Sequence, residues 1–253
     1  MFDFSGKNVL VTGASRGIGR AVSQAFAAGG ATVAINYCSN DVAANESLQS
    51  LKGNGHLLVK ADLSSAEGAR TTVAGALSGL GRLDIVVNNA GIFVPHPLTT
   101  TDHEDWTAAW QRTLDVNLLG PAEICYLAGR HMIENDGGRI VNISSRGAFR
   151  GEPDCPAYGA SKAGLNALSQ SLAVELAPYN IFVGVVAPGF VETDMATDVL
   201  KSAQGDAVRA QSPLGRVARP EEVAHAVLFL ASAGAEFSTG TIIDVNGASY
   251  LRS

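Results

Sequence analysis

Short runs rich in valine and isoleucine recur along the chain, and between them lie longer stretches whose apolar residues repeat at helical spacing. The runs Asn8–Val11, Thr32–Asn36, Leu57–Val59, Asp84–Val87, Arg139–Ile143, Ile181–Val186 and Thr241–Asp244 read as strands. Arg20–Ala28, Val42–Leu51, Ala66–Leu80, Ala157–Leu176 and Glu221–Ala231 read as helices. Gly29-Gly30 and Gly53 close the first two, where a glycine can leave the helical conformation cheaply. His103–Met132 reads as one long helical region bent near Gly120-Pro121, because a proline removes a helical N–H and crowds the preceding turn. The strand runs are continuously apolar rather than alternating, which predicts burial on both faces. The alternation of strand and helix therefore predicts an α/β fold, a doubly wound parallel sheet of about seven strands with helices on both faces. No Pro- or Ser-rich linker breaks residues 1–253, so they read as one domain. The least regular stretch, Gly189–Arg219, is long enough to predict a substrate lid at about 190–219.

Composition narrows the classes. Of 253 residues 46% are hydrophobic and 17% charged, enough for a large core and too apolar for disorder. A net charge of −6 argues against a nucleic-acid partner. No apolar run reaches membrane-spanning length and no signal pattern opens the chain, so no membrane association and a cytoplasmic location are expected. Cys38, Cys125 and Cys155 are isolated from one another, which suits a reducing compartment and offers no paired metal ligands. The five histidines share no metal-ligand spacing, and no metal site is expected.

Between the first strand and the first helix stands Thr12-Gly13-Ala14-Ser15-Arg16-Gly17-Ile18-Gly19. Glycines 13, 17 and 19 allow a tight turn and a close backbone approach. The helix N-terminus beyond them offers free N–H groups to a pyrophosphate. The spacing is GxxxGxG rather than GxGxxG. At the end of the second strand Asn36-Tyr37-Cys38-Ser39 carries no carboxylate before Asp41, whereas Arg16 can lie beside that strand end. An acidic residue there would bind a ribose hydroxyl and an arginine a 2′-phosphate, so NADP(H) is favoured over NAD(H), with Asn36, Tyr37 and Ser39 near the adenosine ribose.

Tyr158 and Lys162 share one helix face, and an ammonium near a phenol favours the phenolate. Thirteen residues before Tyr158, at a strand end, stands Ser145, whose hydroxyl could donate to a carbonyl oxygen. With TGASRGIG at 12–19, Asp62-Leu63, NNAG at 88–91, Asn117 in DVNLLG, YGASK at 158–162 and Pro188-Gly189, the chain resembles the classical short-chain dehydrogenase/reductase family almost end to end. The resemblance implies a Rossmann-type fold and a catalytic tetrad of Asn117, Ser145, Tyr158 and Lys162. It makes Tyr158 the acid/base and Ser145 the group that steadies the reacting oxygen. Lys162 would bind the nicotinamide ribose and lower the tyrosine pKa, and Asn117 would hold a relay water. It also implies cofactor contacts from Asp62 and Leu63, from Asn89, Ala90 and Gly91, and from Pro188, Gly189, Val191 and Thr193. A homotetramer is implied too, pairing the helices across Trp106–Met132 and Ala157–Leu176, with Val245–Ser253 at a second interface.

The expected activity is NADP(H)-dependent interconversion of a ketone and a secondary alcohol. Gly189–Met195, Pro213–Arg216 and Asn246-Gly247 are similar to the 3-oxoacyl-acyl-carrier-protein reductases, which implies an acyl-thioester substrate. The Ser145–Tyr158 segment departs from that pattern: Arg146 and Arg150 either bind an anionic substrate group or pair with Glu152 and Asp154. A dehydrogenase of a small, sugar-like or anionic alcohol is thus the alternative. A non-catalytic cofactor sensor is a third reading, which the complete tetrad disfavours. Asn88 is expected to fasten the central strand, Trp106 and Trp110 to pack on one helix face, Cys155 to fill space, and Met195, Val199 and Leu200 to turn toward substrate.

Overall fold

In a computed structural model, which describes residues 2–252, the strands are β1 (Asn8–Val11), β2 (Thr32–Tyr37), β3 (Leu57–Lys60), β4 (Ile85–Asn88), β5 (Gly138–Ile143), β6 (Ile181–Pro188) and β7 (Ile242–Val245). They form one parallel sheet in the order β3-β2-β1-β4-β5-β6-β7. The order reverses between β1 and β4, and the crevice outside the carboxyl ends there is where open α/β sheets take ligands.

Successive strand residues face opposite sides of the sheet, and both sides are buried. Val9, Val11, Val33, Ile35, Ile85, Val87, Val141 and Ile143 meet Val22 and Phe26 of α1 (Gly17–Ala28) and Val223, Val227 and Leu230 of α10 (Pro220–Ala231). On the other side Leu10, Ala34, Val86, Ile140 and Val183 meet α3 (Ala66–Leu80) and α5 (Gly120–Ile133) through Val73, Ile124 and Met132. The α2 helix (Asp41–Gln49) covers the sheet edge near β3, its first turn capped by the Asn40 side chain. Among the described residues no helix is long and apolar enough to cross a membrane.

The long helical region is not a helix bent at Gly120-Pro121. It is α4 (His103–Leu114), then a π-helical turn over Asp115–Leu119, then α5. The wide turn lets Gly120 press on the Leu63 carbonyl, 2.6 Å from where a Cβ would sit. It also swings Asn117, fully buried, toward the helix α7 (Pro156–Leu176). A short α6 (Gly147–Arg150) precedes α7. The irregular stretch holds α8 (Asp194–Lys201) and α9 (Gly205–Arg209).

Candidate active site

The glycine loop is shaped by close approach. Gly13 and Gly17 adopt φ of +60° and +54°, and a Cβ on Gly13 would stand 2.8 Å from the Ala90 Cα. On Gly19 it would collide with the Asn89 amide at 2.5 Å. Asn89 donates to the carbonyls of Thr12 and Gly13, while the Thr12 hydroxyl accepts from the N–H groups of Asn89 and Ala90. Arg20 grips the Ser15 carbonyl (2.8 Å) and reaches Ala43. No side chain caps the first turn of α1, so the N–H groups at Gly17, Ile18 and Gly19 face the crevice beyond Arg16. Such a cradle, free of side chains and at a helix N-terminus, fits a dinucleotide pyrophosphate.

Two predicted contacts at the end of β2 turn inward. The buried Asn36 amide is shared among Val59 O, Ala61 O and Thr72 Oγ1, and its Oδ1 accepts from the Gly13 N–H. Asn36 therefore braces the glycine loop against β3 and α3 rather than offering its side chain to a ligand. The Tyr37 ring is buried and its hydroxyl donates to Asp41 (2.8 Å), which also pairs with Lys60 (2.9 Å). Ser39 is exposed at the crevice edge. Asp62 caps the turn at the Ser64 N–H, and the Leu63 side chain is buried. Arg16, predicted to read a phosphate beside the strand end, has an acidic partner here. Its guanidinium points across the crevice to Asp194, 3.8 Å away, with both side chains largely exposed.

The tetrad residues converge where β4, β5 and α7 meet. Ser144 turns inward to the Lys162 carbonyl, leaving Ser145 on the crevice side. The Ser145 Oγ accepts from the Gly147 N–H (3.0 Å), so its own hydrogen is free to donate. Lys162 is buried beneath, its Nζ donating to Ile143 O at 2.8 Å; burial lowers its pKa to about 8. Asn117 ties three parts together, accepting from the Ile92 N–H and donating to Ile92 O and Ser161 Oγ. Gly91 lies against both Asn117 and Lys162, with Nζ 3.4 Å from a Cβ placed there. Burial raises the Tyr158 pKa above the ordinary phenol value, the Ser145 hydroxyl pulls it down, and Glu152 adds to the rise. In this arrangement burial, rather than Lys162, sets the phenol's proton affinity.

The far wall carries Pro188, Gly189 and Val191. Gly189 abuts Asn246, and Val191 bridges Ala218. Thr193 packs on Gly17 at the base of α8. Met195 is exposed, while Val199 and Leu200 are half-buried. Arg146 is buried, donates to Ser249 (2.7 Å) and stacks over Phe190, so it anchors the C-terminal segment. Arg150 reaches Gln211 (3.4 Å); neither arginine forms an ion pair with Glu152 or Asp154.

Asn88 does fasten the central strands, donating to Asn142 Oδ1 (2.9 Å) and to the buried Cys125 thiol. Trp106 and Trp110 pack together as expected, but around a residue the sequence did not single out. His96 is buried against both indoles. Its Nδ1 lies 2.7 Å from the Val94 carbonyl, which can only accept, and its Nε2 takes the Ala157 N–H at 3.3 Å. The ring is therefore neutral with its proton on Nδ1. Cys155, the N-cap of α7, makes no side-chain cap, and Pro156 has no N–H; His96 fills the cap from a distant loop. No spacing rule signals this role, since the contact spans 61 residues.

The family model described as enoyl-(acyl carrier protein) reductase matches residues 13–248. The chain is 41% identical to a 3-oxoacyl-[acyl-carrier-protein] reductase of Aquifex aeolicus, covering 97% of this chain and 98% of that one. It is 39% identical to the protein of that description in Escherichia coli over 98% of this chain and 99% of the other. Among solved structures, a putative gluconate dehydrogenase from Agrobacterium tumefaciens superposes with a TM-score of 0.90 at 33% identity, covering 98% and 97% of the two chains. With the glycine cradle and the Ser145–Tyr158–Lys162 cluster in place, these likenesses make the chain an oxidoreductase of the short-chain dehydrogenase/reductase family, whose members use a nicotinamide cofactor.

Proposed function

We propose that the protein interconverts a ketone and a secondary alcohol with NADP(H). The observation that carries this reading is the placing of the Ser145 hydroxyl beside the half-buried Tyr158 phenol, near the buried Lys162, at the mouth of the glycine cradle. A bound nicotinamide supplies the hydride. In reduction Tyr158 gives its proton to the carbonyl oxygen, and Ser145, whose Oγ already accepts from Gly147, donates a second hydrogen bond there. Lys162 keeps two N–H groups beyond the one on Ile143 O, and these are placed to hold a ribose.

The preference for NADP(H) is argued from competing partners. The exposed Arg16–Asp194 pair is worth at most about 1 kcal/mol, whereas a charge-assisted hydrogen bond to a phosphate is worth roughly 1.5–3 kcal/mol. A 2′-phosphate would therefore draw Arg16 away. Asp41, which would favour a free ribose hydroxyl, is already held by Lys60 and Tyr37.

The stretch 190–219 serves as a lid, hinged where Val191 and Ala218 bridge; hydrogen exchange of α8 unchanged by cofactor and substrate would rule this out. The exposed Tyr126 and Val174 on α5 and α7, and Leu119 between α4 and α5, support the homotetramer, with Leu251 near the second contact. A monomer by light scattering would refute it. Three free cysteines suit the cytoplasm.

The substrate reading taken from the relatives is a 3-oxoacyl thioester. The second reading, an alcohol dehydrogenase for a small hydroxylated compound, is favoured by the polar Glu152 beside the site. A screen of NADPH oxidation against β-ketoacyl and enoyl thioesters, sugars and small ketones tests the proposal. Oxidation by carbonyl compounds supports it, and none by any carbonyl compound overturns it.

A further inference from the structure

Glu152 has no use in the reaction as derived. Its side chain lies flat on Gly147: a Cβ there would stand 2.7 Å from Oε1 and 2.8 Å from Cγ. Gly147 is the residue whose N–H holds the Ser145 hydroxyl, so the carboxylate sits one residue from the group that steadies the reacting oxygen. Its charge is felt at the Tyr158 phenol. Half-buried, it nevertheless accepts no hydrogen bond from the protein and has no cation within ion-pair distance among the described residues. The two arginines that could have paired with it are committed elsewhere, Arg146 to Ser249 and Arg150 to Gln211. They pull the carboxyl toward its ionised form from a distance while burial opposes them.

A partly desolvated carboxylate without a donor costs free energy, and next to a developing oxyanion it costs more. A ligand that brings an O–H removes that cost. A ligand that brings only methylenes or a second anion does not. We infer that Glu152 is a substrate-specificity residue that accepts a hydrogen bond from a hydroxyl carried next to the reacting carbon. The preferred substrate is then a small α-hydroxy ketone, or the corresponding vicinal diol in the reverse direction, rather than a β-ketoacyl thioester. This rests on the ketone–alcohol reading above and names its substrate class.

The test compares paired ketones of one chain length, 1-hydroxy-2-butanone against 2-butanone, together with acetoacetyl-coenzyme A, all with NADPH. The wild-type enzyme should prefer the hydroxy ketone over its hydroxyl-free partner by tenfold or more in kcat/KM, the worth of one hydrogen bond to a charged group. In Glu152→Gln that ratio should fall by about tenfold. The ratio is the readout because removing the charge also alters Tyr158 and so moves every rate together. If Glu152→Gln does not fold, Glu152→Asp, which withdraws the carboxylate by one carbon, should lower the same ratio. A wild-type ratio near one, a preference for the thioester, or a ratio untouched in a folded variant overturns the assignment while the reductase reading stands. No NADPH oxidation by any of the three also overturns the assignment, and none across the wider carbonyl screen overturns the reductase reading with it.

Discussion

Lys162→Met should change how stability responds to pH in a way that isolates the buried ammonium. Burial takes the lysine from its ordinary 10.5 to about 8. Holding the charge in the folded protein at pH 7 therefore costs about 3 kcal/mol. Methionine removes that cost but leaves the Ile143 carbonyl without the donor now 2.8 Å away, a loss of roughly 1–3 kcal/mol. These terms nearly cancel, so stability at one pH decides nothing. The slope does. Between pH 8 and 10.5 the unfolded lysine keeps a proton that the folded one has released. Stability therefore rises with pH across that window and is lost again as pH falls toward the folded pKa. Relative to Lys162→Met, the wild-type protein should gain about 2 kcal/mol between pH 7 and 9.5. Urea unfolding of both proteins, cofactor-free and at one protein concentration, measures the difference, and hydrogen-bond and packing losses drop out of it. A difference that stays flat between those pH values would show that Lys162 is not desolvated as its position implies.

Tyr158→Phe keeps the ring packed edge-on to Phe93 but has no proton to give, so kcat should fall by ~10²–10⁴-fold with NADPH affinity kept; more than about a tenth of wild-type kcat in a step limited by chemistry refutes the acid role. Arg16→Ala should weaken NADPH binding on the order of tenfold to a hundredfold and NADH binding far less; equal losses by fluorescence titration refute phosphate recognition. His96→Phe should lower stability by about 2–4 kcal/mol, because the Ala157 N–H and Val94 O lose their partner. His96→Gln, which can still accept and donate, should recover part of this, and a Phe variant as stable as wild type in urea would refute the cap.

Apolar continuity and strand–helix alternation made the sheet legible in the sequence, and the family resemblance picked out Asn117, Ser145, Tyr158 and Lys162, which the fold gathers at one end of α7. What escaped depends on contacts between distant segments. The π turn at Asp115–Leu119 has no local composition signal; it goes with the close seating of Gly120 on the distant Leu63 carbonyl. Asn36 stands at a strand end that looks open in sequence, but Val59 of β3, Ala61 just beyond it and Thr72 of α3 supply three acceptors for its amide and turn it inward. Arg16 has the right chemistry for a phosphate, yet its present partner, Asp194, comes from α8, 178 residues downstream. The first turn of α8 follows Thr193, whose side chain does not cap it, so a short helix inside an irregular stretch gave no start signal.

The two halves of the crevice are held differently, and the difference bears on catalysis. Helix α7 is fixed from three directions: His96 at Ala157, Asn117 at Ser161, and β5 at Lys162 through Ser144 and Ile143. Each tie is wholly or partly buried and comes from a separate element, so Tyr158 and Lys162 cannot shift against Ser145 without breaking several bonds together. In the proposed reaction, proton donor, oxygen-holding hydroxyl and ammonium are thus positioned before any ligand arrives, which would lower the entropic part of the barrier. The 190–219 stretch is tied to its neighbours by fewer buried bonds: Ser212 donates to the Gly247 carbonyl (2.6 Å), and Arg150 reaches Gln211 at the surface. Its base is pinned where Val191 meets Ala218, but its contacts to the glycine loop are the packing of Thr193 on Gly17 and the exposed Arg16–Asp194 pair. Segments with few buried contacts open at low free energy. We propose on this ground that substrate entry and cofactor exchange fall to the 190–219 stretch, so that the segment that opens is not the element that carries Tyr158 and Lys162.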